Sequence, residues 1–314
     1  MRIVFMGTPE FAVPSLRLLI SKGYDIVGVF TQPDRPKGRG KKLTASPVKR
    51  VAAEAEIPVF QPESIRKTGV EDLLGLRPDL CVTAAFGQIL SKEILDIPPL
   101  GNINVHASLL PKHRGAAPIA YALMNGDQVA GVTTMMMDAG IDTGDILLQE
   151  ATEIEENETC EELTVRLSMI GAELLGRTIR EIEAGTLQRK RQNEAEMTYD
   201  PMLSKEMSIA DFRLDARNVQ RRINGLNPWP CVSVPVNGAR IKLLRAAVAE
   251  QEGKGMDPGK VIAADARNGL VISCGNGAVR VLELQAPGGN RMRSEDYLRG
   301  HSIPIGTNMN EESS

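Results

Sequence analysis

Residues 102–111 read Asn102-Ile103-Asn104-Val105-His106-Ala107-Ser108-Leu109-Leu110-Pro111. The first half alternates polar and apolar residues, which predicts a strand with Asn102, Asn104 and His106 on one face. Pro111 then leads the chain out of the sheet, because proline has no N–H to give to an interior ladder. The stretch therefore predicts a strand that presents an amide and an imidazole side by side.

A second polar stretch lies further along the chain and reads Gly140-Ile141-Asp142-Thr143-Gly144-Asp145. Asparagine, histidine and aspartate together can move a proton and stabilise a developing oxyanion. Each residue alone has a simpler interpretation, since a strand histidine is more often structural and a lone aspartate is typical of a turn. Because the chain has only 3 histidines, the combination favours a catalytic site formed by Asn104, His106 and Asp142.

The surrounding sequence alternates predicted strands with helical stretches. Strands are predicted at residues 3–6, 26–30, 80–84, 103–106 and 132–137. This pattern is typical of an α/β fold with a doubly wound, Rossmann-like and mostly parallel sheet, which binds ligands beyond the carboxyl ends of its strands. The segment Gly7-Thr8-Pro9-Glu10 lacks the glycines of a dinucleotide fingerprint, so the sequence argues against a nicotinamide cofactor.

The pattern changes after a long amphipathic helix predicted at residues 158–182. Residues 187–204 show little periodicity and are predicted to be a linker. Beyond them, a helix and five short strands with Asn-Gly turns between several of them indicate a small OB-like β-barrel. The predicted domains are therefore a catalytic domain at 1–186, a linker at 187–204 and a barrel at 205–314, with Trp229 expected as a packing anchor.

Composition narrows the class of protein. At 314 residues, 42% hydrophobic and 25% charged, the chain is typical of a globular protein with two domains. The four cysteines are far apart and the histidines form no ligand cluster, so we expect reduced thiols in the cytoplasm and no bound metal. The sequence contains no run of ~20 apolar residues, so it predicts no membrane span. The apolar run within residues 2–7 is too short for a signal peptide.

A basic segment, residues 32–50, interrupts the alternation. It contains Arg35, Lys37, Arg39, Lys41, Lys42, Lys49 and Arg50, and Asp34 is its only acidic residue. A solvated surface loop is one interpretation, and a glycine-spaced loop that contacts a phosphate backbone is the other. Residues 205–314 carry 15 basic and 12 acidic residues, a net charge of +3, whereas residues 1–204 carry 22 and 28, a net charge of −6.

Two motifs carry a resemblance to a known family. Residues 104–111, followed by Arg114-Gly115, resemble the signature of the folate-dependent formyltransferases, and Asp138-x-Gly140-x-Asp142-x-Gly144 resembles the second half of the same active site. The resemblance extends over the whole chain, since Asn227-Pro228-Trp229-Pro230 is similar to the opening of a C-terminal barrel in this family. Residues 35–42 resemble the loop of members that act on aminoacyl-tRNA.

The resemblance implies an activity and roles for named residues. It implies transfer of a formyl group from 10-formyltetrahydrofolate to the amino group of methionine on initiator tRNA, for translation initiation, without a membrane or DNA partner. Asn104 would stabilise the oxyanion, His106 would act as general acid/base or charged stabiliser, and Asp142 would support the imidazole. The folate site would be lined by Ser108, Leu109, Leu110 and Pro111, and tRNA would be contacted by Arg39, Lys41 and Lys42.

Two alternatives remain open from the sequence. A formyltransferase acting on a small amine, or a hydrolase of formyl-folate, would keep the same three catalytic residues without needing the basic loop or the barrel. A non-enzymatic RNA-binding protein would need no Asn-His-Asp cluster. Assay with the formyl donor and charged initiator tRNA separates these functions.

Overall fold

A computed structural model describes residues 1–37, 42–249, 253 and 255–310. The chain divides into two compact units. Unit 1 comprises Met1–Pro118, Val129–Thr152 and Thr164–Asp200, and unit 2 comprises Ile119–Gln128, Glu153–Leu163 and Pro201–Ser314. The predicted limits of a catalytic domain at 1–186, a linker at 187–204 and a barrel at 205–314 stay a prediction.

Unit 1 is built on a mostly parallel sheet. The strands of its segments are β1 (Arg2–Gly7), β2 (Asp25–Phe30), β3 (Arg35–Lys37), β4 (Lys42–Thr44), β5 (Val59–Phe60), β6 (Leu80–Ala84), β7 (Asn102–His106), β8 (Arg114–Gly115), β9 (Val129–Met136), β10 (Ile146–Glu153) and β11 (Tyr199–Asp200). The large sheet has the order β10-β9-β7-β6-β1-β2-β5. Strand β7 pairs parallel to β6 and antiparallel to β9. This architecture confirms the predicted α/β fold.

Helices connect and cover these strands. In unit 1 they are α1 (Val13–Ser21), α2 (Pro47–Glu54), α3 (Ile65–Thr68), α4 (Val70–Leu76), α5 (Lys92–Leu95) and most of α7 (Cys160–Ala184), whereas α6 (Pro118–Asn125) falls almost entirely in unit 2. Strand β1 is apolar on both faces, and its residues Ile3, Val4, Phe5 and Met6 are all 0% exposed. Burial on both faces is expected for a parallel sheet with helices on its two sides. It also raises the pKa of the Cys81 thiol in β6, which keeps that thiol protonated.

The parallel strands place their carboxyl ends at one edge of the sheet. Strands β1, β6 and β7 run in the same direction, so Gly7, Ala84 and His106 end side by side. A separate parallel pair, β8 with β11, joins Arg114 to Tyr199. The edge at which ligands bind in such sheets is therefore the edge at which β7 ends.

Unit 2 contains the small β domain. Its elements include α8 (Ala216–Gly225), β12 (Val232–Val236), β13 (Ala239–Ala249), β14 (Val261–Asp265), β15 (Gly269–Ser273), β16 (Ala278–Gln285), β17 (Met292–Arg293) and α9 (Ser294–Leu298). The strands form a curled antiparallel half-barrel in the order β12-β13-β16-β15-β14, with β17 beside β16. The predicted small β domain is confirmed, and its classification as OB-like stays a prediction.

The expectation that Trp229 anchors the packing of this domain is wrong. Its side chain is 50% exposed. The core of unit 2 is instead filled by Phe212 of the preceding loop and by aliphatic residues of α8 and the strands, including Ile223, Val234 and Leu243. These smaller side chains fill the interior of the half-barrel, which leaves the indole at the surface.

Close packing of α7 on the sheet generates a stability prediction. A Cβ on Gly171 would lie 2.8 Å from Cγ1 of Val105 and 3.3 Å from Cγ1 of Val132, and both valines are stiff and buried. Gly171→Ala should lower unit 1 stability by about 1 kcal/mol, because overpacking of ~1–3 kcal/mol outweighs the ~1 kcal/mol gain in helix propensity.

Gly75→Ala is the matched control. Gly75 is also helical, and an added Cβ there meets nothing within 4 Å, so this variant should gain ~0.5–1 kcal/mol. Thermal unfolding midpoints of the two variants measure the difference. Equal or higher midpoints for Gly171→Ala would contradict the packing of α7 on β7 and β9.

Candidate active site

Strand β7 presents the first two predicted catalytic residues on one face. His106 is buried, with a side chain 7% exposed, and Asn104 is half-buried. Ile103 and Val105, on the opposite face, are buried in the core. The predicted alternation is therefore confirmed, and it directs Asn104 and His106 to the same side of the sheet at its ligand-binding edge.

The loop between β9 and β10 brings Asp142 to these two residues. Oδ1 of Asp142 lies 3.4 Å from Nδ2 of Asn104 and 3.7 Å from Nδ1 of His106. Its Oδ2 accepts a hydrogen bond of 2.9 Å from the backbone N–H of Gly115. The backbone of Asp142 is left-handed, with φ 53°, which aspartate tolerates better than most residues. The structure thus brings together all three residues predicted to be catalytic.

The protonation pattern of His106 follows from its second nitrogen. Nε2 lies 2.9 Å from the backbone oxygen of His113. A carbonyl oxygen only accepts, so Nε2 carries a hydrogen and donates it. In the neutral ring this leaves the lone pair on Nδ1, the nitrogen that faces Asp142. The arrangement can take up a proton at Nδ1 and stabilise the resulting charge with the Asp142 carboxylate.

A buried glutamine holds the loop that carries Asp142. Nε2 of Gln192 donates to the backbone oxygens of Asp142 (2.8 Å) and Gly144 (2.7 Å). Its Oε1 accepts from Nε and Nη2 of Arg114 at 3.0 and 2.8 Å. Arg114 is 2% exposed and also donates two bonds to Glu194, which hold the pKa of that carboxyl below its usual range. Gln192 therefore links the loop to a buried guanidinium.

The residues predicted to line the folate site form a turn that is tied to neighbouring strands. Thr133 of β9 donates to the backbone oxygen of Ser108 (2.6 Å) and accepts from the N–H of Leu110 (3.1 Å). The hydroxyl of Ser108 donates to the backbone oxygen of Lys112 at 2.7 Å. Leu110 packs in a small core cluster, and its bond to Pro111 is cis. A role of Ser108, Leu109, Leu110 and Pro111 in folate binding stays a prediction.

The basic loop is described only in part. Arg39 and Lys41 lie outside the described residues, and Lys42 is described by its backbone in β4, which pairs antiparallel with β3. Their contact with tRNA stays a prediction. Two neighbouring cations are already paired, since Lys49 lies 2.8 Å from Asp34 and Arg50 lies 3.0 Å from Glu10. Hydrogen bonds from Lys49 and Gln61 lower the pKa of Asp34.

Sequence patterns did not identify Gln192, Asp200 or His113, although all three belong to the site. Gln192 and Asp200 fall in the predicted linker, and their partners are 78 and 87 positions away in the chain. Periodicity detects neighbours a few residues apart, so it gives no signal for such contacts. The sequence offered one signal, and it concerns His113, which lies directly before Arg114 between the two parts of the first motif.

Within the described ranges, no group of three or more His, Cys, Asp or Glu side chains is placed to hold a metal ion. No helix in the described part of the chain is long and apolar enough to cross a membrane.

Comparison with known proteins gives consistent matches along the chain. The family described as formyl transferase matches residues 1–179, and the formyl transferase C-terminal domain matches residues 202–302. The methionyl-tRNA formyltransferase of Acetivibrio thermocellus is 46% identical over 307 residues, and that of Geotalea daltonii is 47% identical over 310 residues; each alignment covers 98% of both chains.

A solved structure shares the fold. The N-formyltransferase from Helicobacter canadensis, in complex with folinic acid and dTDP-3-aminofucose, gives a TM-score of 0.68 at 20% identity. The match covers 92% of this chain and 99% of that one. At this identity the likeness concerns the fold alone.

The position of Gln192 generates a prediction for this site. Gln192→Ala should destabilise unit 1 by about 2 kcal/mol, because leaving a buried donor or acceptor without its partner costs ~1–3 kcal/mol. Gln188→Ala, which removes an exposed glutamine from the same segment, is the matched control and should change little. Thermal unfolding of both variants tests this. Equal midpoints would show that Gln192 does not hold the loop in place.

Proposed function

The chain belongs to the formyl transferase family, and from this membership we propose that it transfers a formyl group from 10-formyltetrahydrofolate to the α-amino group of methionine on initiator methionyl-tRNA. The product would serve translation initiation. The observation that carries the proposal is the convergence of Asn104, His106 and Asp142 at the ligand-binding edge of the sheet. The choice of acceptor is supported by relatives of nearly equal length that are named methionyl-tRNA formyltransferase.

In the proposed reaction, Asn104 stabilises the developing negative charge. The acceptor amine attacks the formyl carbon, a C–N bond forms, and the carbonyl electron pair moves onto oxygen. Nδ2 of Asn104 carries two hydrogens, and the long bond to Asp142 uses one of them. The second hydrogen donates to the oxyanion, which is the kind of preorganised contact that contributes most to such reactions.

His106 and Asp142 handle the proton. Nδ1 of His106 takes a proton from the attacking amine, and the carboxylate of Asp142 beside it stabilises the imidazolium. When the oxyanion collapses, the bond to the donor nitrogen breaks and that nitrogen receives the proton from Nδ1 of His106, which returns the ring to its neutral form. The bond from Nε2 to the His113 carbonyl makes Nδ1 the nitrogen that accepts and then releases the proton.

The formyl donor is proposed to lie at the same edge of the sheet, against Ser108, Leu109, Leu110 and Pro111. The polar groups of Ser108 and Leu110 are already bonded within the protein, so this turn would contribute shape and apolar contact. The loop after β6 adds Ile89, which is 63% exposed, and Gly87, which is also exposed. An apolar surface beside backbone hydrogen-bonding groups suits a flat heteroaromatic ring.

The acceptor tRNA is proposed to contact the basic loop through Arg39, Lys41 and Lys42. Since Lys49 and Arg50 already have acidic partners, these three residues are the cations of the segment that we assign to phosphate contact. The net charge of +3 over residues 205–314 agrees with a further contribution from the C-terminal half. We place the activity in the cytoplasm, where translation supplies the substrate, and assign no membrane or DNA partner.

One assay tests the proposed function. The purified protein is incubated with 10-formyltetrahydrofolate and charged initiator tRNA, and formylmethionine is quantified. Parallel reactions contain an aminosugar nucleotide as acceptor or no acceptor at all. Formylmethionyl-tRNA as the main product supports the proposal. Turnover only of the aminosugar, or only hydrolysis of the donor, would replace it by one of the two alternative activities.

The catalytic assignment predicts the effect of two substitutions. Asn104→Ala and His106→Ala should each lower kcat by ~10²–10⁴-fold, the usual effect of removing a general acid/base or an oxyanion donor. His301→Ala removes another histidine, one that stacks on Tyr297 in unit 2, and should leave the rate unchanged. Formylation kinetics with folding checked by circular dichroism measure these effects. Near-parent turnover of a folded His106→Ala protein would contradict the assignment of His106 as a catalytic residue.

The loop assignment predicts a change in tRNA dependence. Replacing Arg39, Lys41 and Lys42 together by glutamine should raise KM for the tRNA and leave folate binding intact. Each lost phosphate contact should flatten the dependence of log affinity on log salt by about 0.7–0.9. If the loop also positions the acceptor end, kcat falls as well, since a shift of ~1 Å can cost about 10²-fold.

A charge-matched triple variant controls for net charge. Lys22, Arg66 and Lys67 are exposed basic residues elsewhere in unit 1, and their replacement by glutamine should change the salt dependence much less. Both triple variants are assayed across several salt concentrations, with folate affinity measured alongside. A parallel loss of folate binding would mean that the loop supports the active site, and identical behaviour of the two variants would make it a solvated surface loop.

A further inference from the structure

Behind the three proposed catalytic residues lies a second histidine–aspartate pair. We propose that Asp200 and His113 are positioning residues that hold His106 in one tautomer and one orientation. The kinetic consequence rests on the proposed function. The structural consequence, the tautomer of His106, can be tested without any substrate.

The pair is buried and short. Nδ1 of His113 lies 2.7 Å from Oδ2 of Asp200, with side chains 10% and 5% exposed. A buried carboxylate requires a partner. Among the described residues, His113 is the side chain that hydrogen-bonds the Asp200 carboxylate. The bond therefore ties the His113 ring firmly to β11.

The backbone of His113 is held in a conformation that it would not adopt readily on its own. Its φ is 59°, in the left-handed region that favours glycine. Three bonds to one segment hold it there. The N–H of His113 donates to Oγ1 of Thr198 (2.7 Å), the N–H of Arg114 donates to the backbone oxygen of Thr198 (2.9 Å), and the His113 ring bonds Asp200. A residue in such a conformation persists when its surroundings over-determine it, and such residues concentrate at functional sites.

This conformation aims the His113 carbonyl at the catalytic ring. Its oxygen accepts from Nε2 of His106 at 2.9 Å, which fixes the hydrogen on Nε2 and the lone pair on Nδ1. In the other tautomer, the Nε2 lone pair would face the carbonyl oxygen, which is repulsive, and Nδ1 would have no lone pair to take the amine proton. Whatever fixes the carbonyl therefore selects the tautomer that the reaction needs.

The carboxylate of Asp200 acts on His106 through His113. The carboxylate holds the His113 ring, the ring and Thr198 hold the His113 backbone, and the backbone carbonyl holds His106. Removing Asp200 should let the carbonyl move and the ring of His106 populate both tautomers. Substrate binding should change little, because neither Asp200 nor His113 belongs to the proposed donor or acceptor sites.

Kinetics of four variants test this. Asp200→Ala and His113→Ala should each lower kcat by about tenfold or more with KM nearly unchanged, since a displacement of ~1 Å can cost about 10²-fold. The double variant should be no slower than the worse single one, because both changes break the same connection. Asp200→Asn retains an oxygen that accepts from Nδ1–H of His113, so it should restore most of the rate. This variant keeps the test valid if Asp200→Ala fails to fold.

Asp79→Ala is the matched control. Asp79 is a carboxylate of unit 1 that accepts from the backbone N–H of Arg2 (2.6 Å) at the opposite, amino-terminal edge of the sheet. Its removal should leave kcat and the tautomer of His106 at parent values. A loss of rate equal to that of Asp200→Ala would mean that the effect of Asp200 is a general one of stability.

Nitrogen-15 spectra of labelled histidine provide the direct readout. With only 3 histidines in the chain, variants at His106 and His301 assign the signals. At a pH where the rings are neutral, the parent should show His106 protonated at Nε2 alone, and Asp200→Ala should show a mixture of tautomers. An unchanged tautomer together with an unchanged kcat in Asp200→Ala would overturn the proposal. Failure of the parent to formylate tRNA would instead refute the proposed function and leave the tautomer test standing.

Discussion

The position of β7 between β6 and β9 is the constraint on which the rest of the site depends. Parallel pairing with β6 sends the carboxyl end of β7 to the edge where ligands bind in such sheets. Strand β9 is antiparallel to β7, so β9 ends at the other edge of the sheet, beside the first residue of β7. There the backbone N–H of Met137, at the start of the loop after β9, donates to the backbone oxygen of Asn102 (2.7 Å). To reach β10, that loop returns along the face of β7, and this path places Asp142 against Asn104 and His106.

Loops and short strands, rather than long regular elements, complete the site, and buried polar contacts give them their order. Gln192 joins the Asp142 loop to Arg114, and Asp200 joins β11 to His113. Each of these groups would be costly to bury alone, so each fixes the position of its partner. The consequence for the proposed chemistry is preorganisation: the side chains proposed as oxyanion donor, proton acceptor and supporting carboxylate are held in place before substrates arrive.

Five of the seven cations of the basic segment fall into two groups. Lys49 pairs with Asp34 inside the segment, and Arg50 pairs with Glu10 outside it, so these two cations already have acidic partners in unit 1. The proposed tRNA contacts, Arg39, Lys41 and Lys42, belong to its centre.

The sequence by itself determined the parts of this protein that depend on local periodicity and on short motifs. The alternation along β7, the apolar strands, the amphipathic α7 and the Asn-Gly turns each reflect interactions between residues a few positions apart, and their predicted strands and helices are observed.

Only the tertiary structure decided the rest. Residues 187–204 carry no periodicity and were predicted to be a linker, yet Gln192 and Asp200 within them bond residues 78 and 87 positions away. The exposure of Trp229 was likewise decided by which side chains fill the half-barrel. Long-range pairing of polar groups and competition for core volume depend on the whole fold, so a short stretch of sequence gives no signal for either.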